Sequence, residues 1–202
     1  MKEEDLYVKS VKKKKYNSYL GEISPAVENV VNRDFSAEKP NEKILTDITE
    51  FNVNNIKIYL SPLVDCFDGY VPKWTIGLSP NKQLVNTMLE DYIKTLKDDE
   101  KPIIHSDCGG HYRWPEWIQI MESNNLTRSM SKKGCSPDNS ACEGFFGGLK
   151  NEFFYNRDWK GVTPEGFIRQ LNDYIIWYNE KRIKESLGYL SCRATSYNTQ
   201  NQ

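Results

Sequence analysis

The stretch KILTDITEFNVNNIKIYLSPLVDCFDGYVPKWTIGL, residues 43–78, decides the fold. Ile44–Phe51 is rich in β-branched and aromatic residues and reads as a strand. Asn54-Asn55 is a turn signal, Ile56–Phe67 a second strand, and Asp68-Gly69 the strongest hairpin signal in the chain. Val71–Leu78 is a third strand. Three consecutive strands with tight turns predict an antiparallel meander, and Asp47 falls in the middle of its first strand.

Downstream, the pattern alternates. Leu84, Val85, Met88, Leu89, Tyr92, Ile93 and Leu96 have helical spacing. Pro102–Asp107 is a short apolar strand with polar residues at its end, followed by Gly109-Gly110. Trp114–Met121 reads as a helix and Leu126–Met130 as a fifth strand. Ser136–Tyr155 reads as a helix opened by Pro137-Asp138-Asn139, and a last helix runs from Thr163 to about Lys184. A meander followed by alternating helices and strands predicts an α/β fold: a mixed five-stranded sheet flanked by helices on both faces. This core is assigned to residues 41–190. Residues 1–40, with the run Lys12–Lys15 and little periodicity, read as a basic arm or linker, either solvated or in contact with phosphates. Residues 191–202 read as a divergent tail.

Composition excludes several classes. The chain has 202 residues, 38% hydrophobic and 12% aromatic, which is enough for a core and too much for wholesale disorder. No run of 18 apolar residues exists, so no membrane partner is expected. The amino terminus lacks the apolar stretch of a signal peptide, and a cytoplasmic location is the default. Basic and acidic residues number 27 and 28, so net charge alone points to no polyanion and excludes none. Five cysteines without a CxxC pair read as free thiols.

Three acids fall where α/β sheets gather their sites: Asp47, Asp107 at the end of the fourth strand, and Glu143 in the helix after the fifth strand. A carboxylate inside an apolar strand is costly unless it is paired or metal-bound. Converging carboxylates attract a hard divalent cation, and two such ions can serve phosphodiester chemistry. The same acids also admit a plainer reading, with Asp47 paired to a lysine, Asp107 holding a turn and Glu143 solvated. Glu143, Gly147 and Lys150 share one helix face, with the glycine leaving room for a phosphate backbone.

Thr46-Asp47-Ile48-Thr49-Glu50, His105-Ser106-Asp107, Ser136–Glu143 with Lys150-Asn151-Glu152, and Trp177–Tyr189 resemble the integrase-type DDE transposases of bacterial insertion sequences. Thirty-five residues separate Asp107 from Glu143, the spacing of that family. The resemblance implies a ribonuclease-H-like fold and DNA strand cleavage and transfer in transposition. It implies Asp47, Asp107 and Glu143 as catalytic acids holding Mg²⁺ or Mn²⁺, with two ions expected. It places Lys150 near the reacting phosphate. Lys132, Lys133, Lys181 and Arg182 are candidate DNA contacts, each with solvent exposure as the plainer reading. Asn139 caps the Glu143 helix or touches DNA. His105 is read as a hydrogen-bonding support rather than a ligand. The expected partners are DNA, further copies of the chain, and an upstream helix-turn-helix protein or fusion. A catalytically inactive or truncated DNA-binding remnant is the alternative.

Overall fold

The computed structural model describes residues 24–132 and 136–195. Strands β1 (Lys43–Thr46), β2 (Thr49–Val53), β3 (Ile56–Asp65), β4 (Trp74–Gly77), β5 (Ile103–Ser106) and β6 (Thr127–Met130) form one mixed sheet. β1, β2 and β4 run antiparallel to β3, while β5 runs parallel to both β1 and β6.

The first expected strand is interrupted. Thr46 faces Leu63 and Thr49 faces Leu60, so β1 and β2 keep one register along β3, with Asp47 and Ile48 left between them. That register sets Asp47 opposite Pro62, and proline has no N–H to give to a ladder. The Pro62 carbonyl accepts from the Thr46 hydroxyl instead, at 2.9 Å. Counting β1 and β2 as halves of one strand recovers the five-stranded sheet, with Asp47 in its gap rather than in mid-strand.

The pleat divides the core in two. Leu45 and Val64 face one way, with Phe51, Ile58 and Leu60. Ile44 and Leu63 face the other, with Ile104 and Met130. Helices α1 (Lys82–Ile93) and α2 (Pro115–Ser123) cover the second face. The first is covered by α3 (Ser140–Leu149), its π-helical continuation Lys150–Phe154, and α4 (Pro164–Glu180). Asn81 and Thr163 cap α1 and α4 with side-chain oxygens on Leu84 N and Gly166 N.

α4 stops at Glu180, not at Lys184 as the spacing predicts. Ile183–Lys184 and Leu190–Ser191 form a small hairpin, β7 and β8. The reason lies in Lys184, whose ammonium leaves the helix line for the Asp68 carbonyl, at 2.8 Å, and the face of Tyr178. Cys192 is fully buried, and its thiol points to the same carbonyl. The described part of the tail, to Thr195, therefore packs into the fold. Residues 24–40 have no helix or strand. They form a strap along β6: Glu28 O accepts from Met130 N, and Val30 N and Val31 N donate to the Ser129 hydroxyl. Among the described residues no helix is long and apolar enough to cross a membrane.

Candidate active site at the ends of two parallel strands

β1 and β5 are parallel neighbours with Thr46 beside Ser106, and each is followed directly by an aspartate. Asp47 and Asp107 thus leave the sheet side by side at its carboxyl edge. Asp107 is oriented by its own turn, accepting from Gly109 N at 2.8 Å. A Cβ at Gly109 would stand 2.6 Å from the carboxylate oxygen, so a side chain there would push the Asp107 carboxylate out of this orientation.

Asp47 accepts from Ile48 N at 2.7 Å and from the Asn139 side-chain amide at 2.9 Å. No lysine or arginine pairs with it among the described residues, which sets aside the plainer reading of this acid. Burial pushes the Asp47 carboxyl up to about 6. The charge of Asp107 adds to the rise, that of Glu143 contributes less, and the two hydrogen bonds oppose it.

Glu143 lies in the exposed first turn of α3. It is set back from the aspartate pair: among the described residues no three His, Cys, Asp or Glu side chains stand close enough together to form a ligand cluster. Asn139 occupies the N-cap position of α3 but makes no capping hydrogen bond. Its amide is spent on Asp47, a contact that spacing alone did not reveal. On the outer side of α3, a Cβ at Gly144, Gly147 or Gly148 would meet nothing within 4 Å. Lys150 follows at the start of the π segment, with its ammonium 5.6 Å from the Phe51 ring centre.

His105 is fully buried beneath the pair. Its Nδ1 lies 2.9 Å from Ser129 Oγ and its Nε2 2.9 Å from the Asp138 carbonyl. Ser129 Oγ already accepts two backbone N–H groups, so its proton goes to Nδ1 and His105 carries its proton on Nε2. Burial holds the ring's proton affinity below the ordinary histidine value.

The remaining candidates stand apart from the acids. Lys132 is exposed and donates its backbone N–H to Asp138. Lys133 lies outside the described residues. Arg182 makes a forked ion pair with Glu152, at 2.9 and 2.5 Å, and Tyr174 donates its hydroxyl to the same carboxylate. Lys181 is exposed at the end of α4. Both line a wide groove with Trp177 and Arg157 that includes none of the three acids.

Comparison with known proteins identifies the family and the fold. Two family models described as integrase core domain match residues 37–136 and 143–201. A probable transposase for insertion sequence element IS1353 from Shigella flexneri is 55% identical over 93% of this chain, which covers 37% of that protein. The putative transposase InsK of IS150 from Escherichia coli is 39% identical over 90% of this chain and is covered over 64%. An uncharacterized transposase-like protein from Haemophilus influenzae is 39% identical over 94% of this chain and is covered over 86%. The chain thus spans about a third to two thirds of the first two relatives. Among solved structures, the HTLV-2 integrase catalytic core domain in complex with magnesium aligns with a TM-score of 0.60 at 17% identity. That alignment covers 79% of this chain and 99% of the viral one. At that identity the likeness speaks for a shared ribonuclease-H-like fold.

Proposed function

The chain belongs to the integrase-core family of insertion-sequence transposases, and on that premise we propose that it cleaves DNA strands and transfers them in transposition. Asp47, Asp107 and Glu143 are the reacting acids of this reading. The observation that carries it is the side-by-side emergence of Asp47 and Asp107 from parallel strands, with Asp47 half-buried, without a basic partner among the described residues, and shifted to about 6.

That shift is also the test of whether the residues suit a metal. A carboxylate that holds its proton to about 6 because of burial and a neighbouring anion gains when a cation replaces the proton. The donors are all oxygens, which suits Mg²⁺ or Mn²⁺. Asp47 and Asp107 would hold such an ion between them, and Asp47 with Glu143 a second. A bound divalent ion would lower the proton affinity of an attacking water or 3′-hydroxyl and stabilise the departing oxygen. Asn139 holds the second oxygen of Asp47, leaving the carboxylate one orientation. Gly109 does the same for Asp107. The bare outer surface of Gly144, Gly147 and Gly148 lets a phosphodiester chain lie close to α3, with Lys150 beyond it as a phosphate contact. Lys132, Lys181 and Arg182 are more distant candidates for DNA backbone contacts, and assembly of several copies on paired DNA ends belongs to the same reading.

The test is cleavage and joining of labelled DNA carrying the element's ends, in Mg²⁺ or Mn²⁺, for the wild type and for Asp107→Asn. Metal-dependent nicking that disappears in the variant is expected. Equal activity in both removes Asp107 from the chemistry. Folded, inactive wild type that gains activity when an upstream helix-turn-helix protein is added shows that recognition comes from that partner. Salt-sensitive binding without cleavage under every condition favours a DNA-binding protein without catalysis.

A further inference from the structure

Asp138 ties together four segments of the chain, yet it is none of the three acids. Its carboxylate side chain is 2% exposed and accepts from Arg33 Nε at 2.6 Å. Its second oxygen accepts from Lys132 N at 3.0 Å. Its backbone carbonyl accepts from His105 Nε2. Arg33 also holds this carboxyl below the usual carboxylate range, ahead of the Lys132 contact. The next residue, Asn139, donates to Asp47, and α3 begins at Ser140 with Glu143 in its first turn.

Arg33 sits on a part of the strap that is itself held. Asn32 and Arg33 both have left-handed backbones, at φ 45° and 67°, a conformation that residues with side chains enter only when their surroundings impose it. The surroundings are evident. Val31 is buried, the Val30 and Val31 amides end on Ser129 Oγ, Asn32 N donates to Asn29 Oδ1 at 2.8 Å, and Asp34 N donates to the Val31 carbonyl. Ser129 in turn donates to His105. The strap therefore reaches Asp138 by two routes: directly through Arg33, and through Ser129 and His105 to its carbonyl.

We propose that Arg33 is a positioning residue, which fixes the start of α3 through Asp138 and so determines where Glu143 and Asn139 stand relative to Asp47. The inference rests on the strand-cleavage reading for its effect on rate, but not for its effect on structure. Asp47 and Asp107 are placed by the sheet. Glu143 is placed by a helix whose first residues are anchored by side chains, and Arg33 supplies the charged anchor. Removing the guanidinium leaves a nearly fully buried carboxylate with one N–H partner fewer, so the turn at 136–139 relaxes toward solvent. Arg33→Lys keeps the charge and loses the planar fork.

The experiment uses the full chain as wild type, Arg33→Gln and Arg33→Lys, each well below its melting temperature. Amide exchange is followed by mass spectrometry across 136–149, with β1 and β5 as internal references. Arg33→Gln is expected to speed exchange over 138–144 about tenfold, with the reference strands unchanged and Arg33→Lys intermediate. Unchanged exchange in α3, or acceleration spread evenly over the molecule, overturns the proposal without reference to catalysis. In the nicking assay Arg33→Gln is expected to lower kcat by roughly 10- to 100-fold, with KM for DNA within about threefold, as for the loss of a group that orients a ligand. Combined with Glu143→Gln, Arg33→Gln should add little further loss, and full additivity overturns the proposal. A wild type inactive under every condition defeats the strand-cleavage reading alone, since the exchange result still decides the positioning role.

Discussion

The two aspartates and the glutamate are held in place by different means. Asp47 and Asp107 are the first residues past two hydrogen-bonded parallel strands, and residues one and two positions on, Ile48 and Gly109, hold their oxygens. Glu143 stands on an exposed helical turn whose start is secured by Asp138 and Asn139. Strand ends transmit the rigidity of a ladder with a defined register. A helix start transmits only what its capping contacts supply, and here the Asn139 side chain has left its cap position for Asp47. One part of the proposed site is therefore set by the sheet, and the other by contacts at the exposed start of a helix.

The largest expected effect tests the rigid half. Asp47→Asn and Asp107→Asn should each reduce metal-dependent nicking by about 10³-fold or more, since neither partner can substitute for the other. Residual activity above a few per cent in either would break the equivalence of the two strand ends.

The next effect separates burial from exposure through pH. Asp47 has a folded value near 6 against 3.8 for the free side chain, so between about pH 4 and 6 the folded protein binds more protons than the unfolded chain. Stability from this group is fully present below pH 4 and is lost as pH rises through 6. A displacement of that size corresponds to roughly 3 kcal/mol. Asp47→Asn should therefore raise the denaturation midpoint at pH 7.5 and leave it nearly unchanged at pH 4. Asp65, which is buried, is likewise raised to about 6, so a residual slope should survive in Asp47→Asn and shrink in Asp65→Asn. Mg²⁺ should restore stability at pH 7.5 to the wild type and not to Asp47→Asn.

A third test addresses the gap itself. Pro62→Val supplies the N–H that position 62 lacks opposite Asp47. Stability should hold or rise, while nicking should fall about tenfold as the ladder closes and turns the carboxylate. The smallest effect concerns the exposed half. Gly147→Ala has room for its methyl and should stabilise α3 by up to about 1 kcal/mol. DNA binding should weaken about twofold, as the closest approach to a phosphate is pushed outward. An unchanged affinity would move the DNA path away from α3.

Much of this architecture is legible in the chain. The meander, the alternation after Leu84 and the placing of Asp107 at a strand end follow from period, turn residues and spacing, whereas Asp47 reads as a mid-strand residue. Proline and local polarity carry what period misses. Pro62 splits the first strand, but its effect depends on which residue it faces, and register is a property of two segments at once. Asn139 looks like a cap because its position is one, and only the approach of Asp47 diverts it. Arg33 lies in a stretch without periodicity, where a lone arginine gives no hint of a buried acid 105 residues away. The short hairpin after Glu180 is hidden for the same reason: the partners of Lys184 and Cys192 belong to the Asp68 turn.

The strap has one more consequence, which concerns handling of the molecule rather than its chemistry. β6 ends the sheet, and an open strand edge invites pairing with another chain. The Glu28 carbonyl pairs with Met130 N on that edge, and the strap is held beside it by the Val30 and Val31 amides on the Ser129 hydroxyl. A protein trimmed to residue 37, where the integrase-core match begins, would expose the edge and leave Asp138 without its guanidinium. Such a trimmed protein is expected to self-associate and precipitate on concentration, while one that retains residues 24–36 stays dispersed, as light scattering of the two would show.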